Sequence, residues 1–208
     1  MTVDELTLNK LIKLSNKHGI NILCSQLANL PHQNKLQVGF SNYRIPEDVI
    51  EFSANLTWGQ RLYMATPQST DIDSFLYITA CYLQGLKGFD ERKTVRLFRK
   101  LRGVKLKELY PITYHLATLF SELIKNESEK LTRPKDKKAL AADVEKLDVF
   151  ADFQVLEYLA NRCKFTSDSK MTHIDRALTM PYDLALTMLW EKKESEQFNE
   201  RYTEILKA

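Results

Sequence analysis

Glycine and proline are scarce in this sequence. With 6 of each among 208 residues, tight turns are few, which argues against a sandwich or barrel built from many short strands. Cysteine is rarer still. Cys24, Cys81 and Cys163 are far apart, each among apolar neighbours, and an odd count without CxxC spacing reads as reduced, buried thiols in a cytosolic setting. The four histidines, His18, His32, His115 and His173, show no metal-ligand spacing, so no zinc site is expected. Phosphate-binding glycine loops and the GxSxG elbow are absent, and Gly85-Leu86-Lys87-Gly88 reads as a plain helix–helix turn. No apolar run reaches the roughly 18 residues that span a membrane. The start, MTVDELTLNKLIKL, is acidic and lacks the continuous apolar core of a signal peptide. The residues thus offer no catalytic group, cofactor or metal site, and the chain is expected not to be an enzyme.

What is present is a substantial apolar fraction, 44%, arranged with helical periodicity. The expected fold is mainly α: a helical domain with a short extended or hairpin arm and a long C-terminal amphipathic helix. Helices are expected over 4–18, over 72–84, over 90–102, from Pro111 through Ile124, and from about 140 to 164. Another follows Asp175, and the last runs from Pro181 to Lys207. Residues 20–30 read as a short helix or an extended piece. The core should draw on 72–84, 112–124 and 148–163, with Val95, Leu97, Phe98, Leu101 and Phe153 among the inward residues. Leu36, Val38 and Phe40 alternate with the period of a strand within the arm, 31–48. The polar, mixed-charge stretch from Lys125 to Lys138 contains Pro134 and reads as an exposed connection. It divides a core domain, 1–130, from a C-terminal helical region, 139–208. His115 sits between apolar residues and is expected as a core or interface histidine.

Although the formal net charge is only +3, cations concentrate in the middle of the chain. Between Lys87 and Tyr110 there are nine basic residues and three acids. Arg92, Arg96, Arg99, Lys100, Arg102 and Lys105 are the candidates for contact with phosphates or with an acidic partner. A solvated helix face is the simpler alternative, because no aromatics for base stacking interleave with the charges.

Aromatic residues give the second set of candidates. Trp58, Trp190, Phe198 and Tyr202 are expected at interfaces. In the last helix, Leu184, Met188, Phe198, Tyr202 and Ile205 form a heptad-like seam with Glu191 and Ser195 in it, so a simple self-pairing coiled coil is excluded. Trp190 lies beside that seam. Either this helix folds back on the 148–163 helix, with Trp190 completing the core, or part of its surface meets another subunit. In a closed ring the contact would be head-to-tail, with the basic 92–107 face opposite Glu191, Glu194, Glu196 and Glu200.

Three stretches, LTWGQRLYM, SFLYITACYL and YPITYHLATLFSELI, give the centre of the chain its character, and DRALTMPYDLALTMLWEKKESEQF closes it. In kind and order these stretches resemble small helical structural and assembly proteins of tailed bacteriophages, crAss-like phages in particular. The resemblance implies a non-enzymatic virion structural or assembly protein of the head–tail connector ring, the tail, or the set packed in the particle. It also implies other phage structural proteins as partners, a homo-oligomer or ring, and a location in the host cytoplasm during assembly and then in the virion. A tail-assembly chaperone absent from the mature particle, or a nucleic-acid-binding protein using helix 92–107, are the alternatives.

Overall fold

A computed structural model gives the fold and describes residues 7, 27, 29–66, 71–87, 89–132, 151–163 and 171–207. The expected helix over 4–18, most of the piece over 20–30, Cys24, residues 133–150, with the first part of the helix expected over 140–164, and the turn at Gly88 lie outside the described residues. Within them helix dominates. A hairpin, β1 (Lys35–Val38) and β2 (Ser41–Arg44), precedes α1 (Val49–Ala54), α2 (Trp58–Met64), α3 (Asp71–Tyr82), α4 (Glu91–Leu101), α5 (Leu106–Leu131), α6 (Ala151–Arg162), α7 (His173–Thr179) and α8 (Tyr182–Lys207).

The centre is α5. It packs against α3, α1, α8 and β1, while α4 leans on α3 and α7 lies between α6 and α2. Its inner face carries Leu109, Ile112, Leu116, Leu119, Phe120 and Leu123, all buried, at the i, i+3, i+4 spacing that lets one face turn inward. Two expected boundaries shift. Pro111 does not open this helix but lies inside it, five residues after Leu106, past the first turn, so the helix forgoes the bond that an N–H there would give to the Lys107 carbonyl. The helix also continues through 125–131, which had read as connection.

The arm is a two-stranded antiparallel hairpin with Leu36 opposite Tyr43. Gly39 takes the first place in its two-residue turn at φ +62°, the conformation such turns need. Leu36 and Val38 are buried, but Phe40, expected to continue their alternation, stands fully exposed at the turn. At the hairpin base His115 Nε2 lies 2.9 Å from the Pro46 carbonyl, and the His32 ring stacks on His115 at 3.7 Å. His115 is thus a half-buried link between α5 and the arm.

Residues on both sides of the 125–138 stretch enter one hydrophobic cluster, Leu116 and Phe52 beside Ala177, Tyr182 and Leu189. The backbone joins them directly: the Trp58 N–H donates to the Met180 carbonyl at 2.9 Å, and the Tyr182 N–H to Leu56 at 3.0 Å. The division at this stretch therefore separates chain segments that share a core.

Candidate functional site

The TWGQ sequence is the most distinctive local motif, and its four residues build the core. Thr57 caps α2 in a capping box with Gln60, which satisfies N–H groups that the first turn leaves open. Gln60 is fully buried, and its side-chain amide also donates to the Cys81 carbonyl at 2.8 Å, tying α2 to the end of α3. Gly59 faces α7 so closely that an added Cβ would sit 2.7 Å from the Leu178 carbonyl oxygen. Trp58, expected at an interface, is 2% exposed, and this chain itself fills the space around it. Its ring stacks on Tyr182 at 5.9 Å, and the Arg61 guanidinium lies 5.3 Å from its centroid.

Arg61 belongs to a buried polar knot. Its Nε and Nη2 reach the Glu127 carboxylate at 2.9 and 2.5 Å, and the Tyr182 hydroxyl donates to the same carboxylate at 3.2 Å. Burial, then the Glu127 charge, pushes the Tyr182 hydroxyl well above the usual phenol range, so it stays protonated and keeps donating. The knot fastens α2, α5 and α8 with every charge partnered. Burial also pushes the Cys81 thiol up to about 12, which suits packing and not nucleophilic chemistry. Among the described residues no group of three or more His, Cys, Asp or Glu is placed to hold a metal ion, and no helix is long and apolar enough to cross a membrane.

Two surface regions remain. The first is the outer face of α4. Asp90 caps this helix by accepting from the N–H groups of Arg92 and Lys93, which fixes the start of the basic stripe. Arg92, Arg96, Arg99, Lys100 and Lys105 are exposed. Among the described residues no carboxylate pairs with Arg92, Arg96, Arg99 or Lys100. Arg102 departs from this group. It is half-buried, bonds Asp73 at 2.6 Å and covers the Phe98 ring at 4.7 Å, so it serves the α3–α4 contact. Val95, expected inward, is exposed because it falls on the outer side of the stripe.

Lys93, Arg96, Leu97 and Lys100 share one side of α4 and line a groove of about 350 Å³, closed by Leu83 from the end of α3 and Tyr43 from β2. The arm therefore brings an aromatic to the basic face, whereas Phe98 of α4 itself packs on Tyr77 and under Arg102. Tyr43, in the segment SNYR, was missed because its neighbours in the groove lie 40 or more residues away in the chain. The signal available was an aromatic within the arm expected over 31–48, one residue before the end of β2.

The second region is the far end of α8. Its first turns are packed: Tyr182, Ala185 and Leu189 are buried, the Tyr158 hydroxyl approaches the Met188 carbonyl at 3.4 Å, and Lys193 Nζ bonds the Lys130 carbonyl at the end of α5 at 2.6 Å. From Trp190 on, the large apolar side chains of the helix are exposed. Trp190 is 49% exposed, Phe198 62%, Tyr202 52% and Ile205 72%, and the Phe198 and Tyr202 rings stack at 6.0 Å. The helix thus folds back on α6 by its first half, while Trp190 stands at the edge and does not complete the core. Phe153, expected inward on α6, is also exposed.

Compared with protein-family models, with curated proteins and with solved structures, the chain matches none.

Proposed function

We propose that this is a non-enzymatic assembly protein that works by holding other protein subunits, with the distal half of α8 as its working surface. The observation that carries the reading is the row Phe198, Tyr202, Ile205 on the last turns of α8, with Trp190 at its near end, all about half exposed or more. Aromatic and branched side chains in one exposed row are the composition of contact anchors. The setting we propose is the particle of a tailed bacteriophage, as a connector, tail or packaged component or as an assembly factor. This rests on the resemblance of the central and terminal stretches to such proteins.

The test is a photo-crosslinking residue placed at Phe198 in particles assembling in host cells, followed by mass spectrometry of purified particles. The reading expects crosslinks from position 198 to particle subunits, or to a transient assembly partner if the protein departs. Crosslinks no stronger than those from Glu129, exposed on the side of α5, would count against it. A second reading, nucleic-acid binding through α4, is favoured by one specific observation, the placement of Tyr43 beside Arg96 and Lys100. It predicts duplex binding whose affinity falls steeply with salt.

A further inference from the structure

We propose that the groove between β2 and α4 receives the distal half of α8 from a second copy of this chain, with Phe198 entering over Leu83 and Leu97. The inference rests on the reading of distal α8 as a contact surface and adds the place where it binds.

Charge is the first argument. The groove's rim carries Lys93, Arg96 and Lys100. Arg96 and Lys100 lack a carboxylate partner among the described residues, and Lys93 has only an exposed approach to Asp90 at 3.9 Å. Residues 194–207 of α8 carry four acids, Glu194, Glu196, Glu200 and Glu204, against two bases, Arg201 and Lys207, and Glu196 also approaches Lys192 at 3.9 Å. Complementary fields of this kind set register and speed association.

Shape and apolar chemistry give the second argument. At about 350 Å³ the groove lies near the lower end of the range for ligand sites. That is room for a side chain or two and not for a whole helix. Phe198 and Tyr202, one helical turn apart and stacked, offer such an anchor, and Tyr43 supplies an aromatic wall. The floor is held in place beforehand. Gln84 bonds the Thr94 hydroxyl and accepts from the Asp90 N–H at 3.0 Å, so little ordering is needed on binding.

The third argument is that one chain leaves both surfaces open. Phe198 is 62% exposed, and the main packing partners of α8 are α5, α1, α2 and α6. A groove and an anchor on different parts of one molecule make a heterologous contact, which builds a ring or an open filament.

The test mixes a full-length variant with a shortened one and follows mass by light scattering. One carries Arg96→Glu with Lys100→Glu, which closes the groove to acids and keeps α8. The other ends after Lys193, keeping the groove without its occupant. Wild type should gain mass with concentration and lose it as salt is raised. Each variant alone should stay monomeric, and the mixture should form a one-to-one dimer that grows no further. Tyr43→Ala, which changes no charge, should weaken association about tenfold or more. If association survives the groove substitutions but not the truncation, the groove assignment is overturned and the α8 surface stands. A wild-type chain that stays monomeric at every concentration overturns the second copy as occupant, and the crosslinks from position 198 then decide the α8 surface separately. If instead duplex DNA binds wild type and the groove variant loses it with no self-association, the groove takes nucleic acid and the proposal fails.

Discussion

The two halves of α8 have the same pattern and different surroundings. In the first, Tyr182, Ala185 and Leu189 recur at three and four residues and are buried. In the second, Phe198, Tyr202 and Ile205 recur at the same spacings and are bare. Helical periodicity says that one face of a helix is meant to be covered. It does not say by what. In the first half the cover comes from α1, α2, α5 and α6 of the same chain, and the Arg61–Glu127–Tyr182 knot fastens α2 and α5 to it. The second half carries aromatics as large and finds no cover among the described residues. The arginines divide the same way: Arg61 and Arg102 bond carboxylates, while among the described residues Arg96 and Arg99 do not.

If the first half is structural, breaking its contacts should unfold the protein. Trp58→Ala removes the ring stacked on Tyr182 and should cost about 3–5 kcal/mol, read from urea unfolding; a loss under about 1 kcal/mol would mean that the knot is not where stability lies. Glu127→Ala leaves Arg61 without its bidentate partner in a nearly buried place. It should cost about 3 kcal/mol, toward the low end for a broken buried pair. A neutral result would show that water reaches Arg61 freely. Gly59→Ala pushes a methyl group against the Leu178 backbone and should cost about 1–3 kcal/mol, with α7 loosened first.

Smaller effects belong to the arm and to the bare half. Burial first, and then the neighbouring His115, hold the His32 ring below its ordinary pKa of 6.5. A histidine with a depressed folded pKa contributes its stability in full above 6.5, and that contribution is lost as pH falls below it. Thermal midpoints should therefore drop on acidification through this window, and His32→Gln should flatten the drop; an unchanged drop would assign it to other groups. The smallest effect on folding is expected for Phe198→Ala, within about 0.5 kcal/mol. A loss of several kcal/mol there would place Phe198 in the core and end its role as an anchor.

Much of the fold is legible in the sequence because it is written in local period. The helices α3, α4, α5 and α8 follow from apolar spacing, and the arm follows from the alternation of Leu36 and Val38. The errors have physical causes. Pro111 favours a first turn, yet Leu106 and Leu109 bury well enough to start the helix earlier. Trp58 reads as an interface aromatic because Tyr182, the ring it stacks on, is 124 residues away in the chain, and only tertiary structure brings the two together. Val95 and Phe153 obey the helical period but fall where no element among the described residues covers them. The basic stripe is legible as charge. That Tyr43, Leu83 and Leu97 turn part of it into a groove is a property of how the hairpin lies against α3 and α4.

Hydrogen exchange along α8 tests the central claim most directly. Amides that open with few buried contacts exchange at the low end of the free-energy scale, and those in the core approach the global value. In dilute protein, residues 185–192 should be strongly protected, because the knot must break to expose them. Residues 197–207 should be weakly protected, and they should gain protection when the protein is in its assembly. Equal, strong protection along both halves of α8 in the dilute monomer, unchanged on assembly, would contradict the account, since the distal half would then belong to the chain's own core.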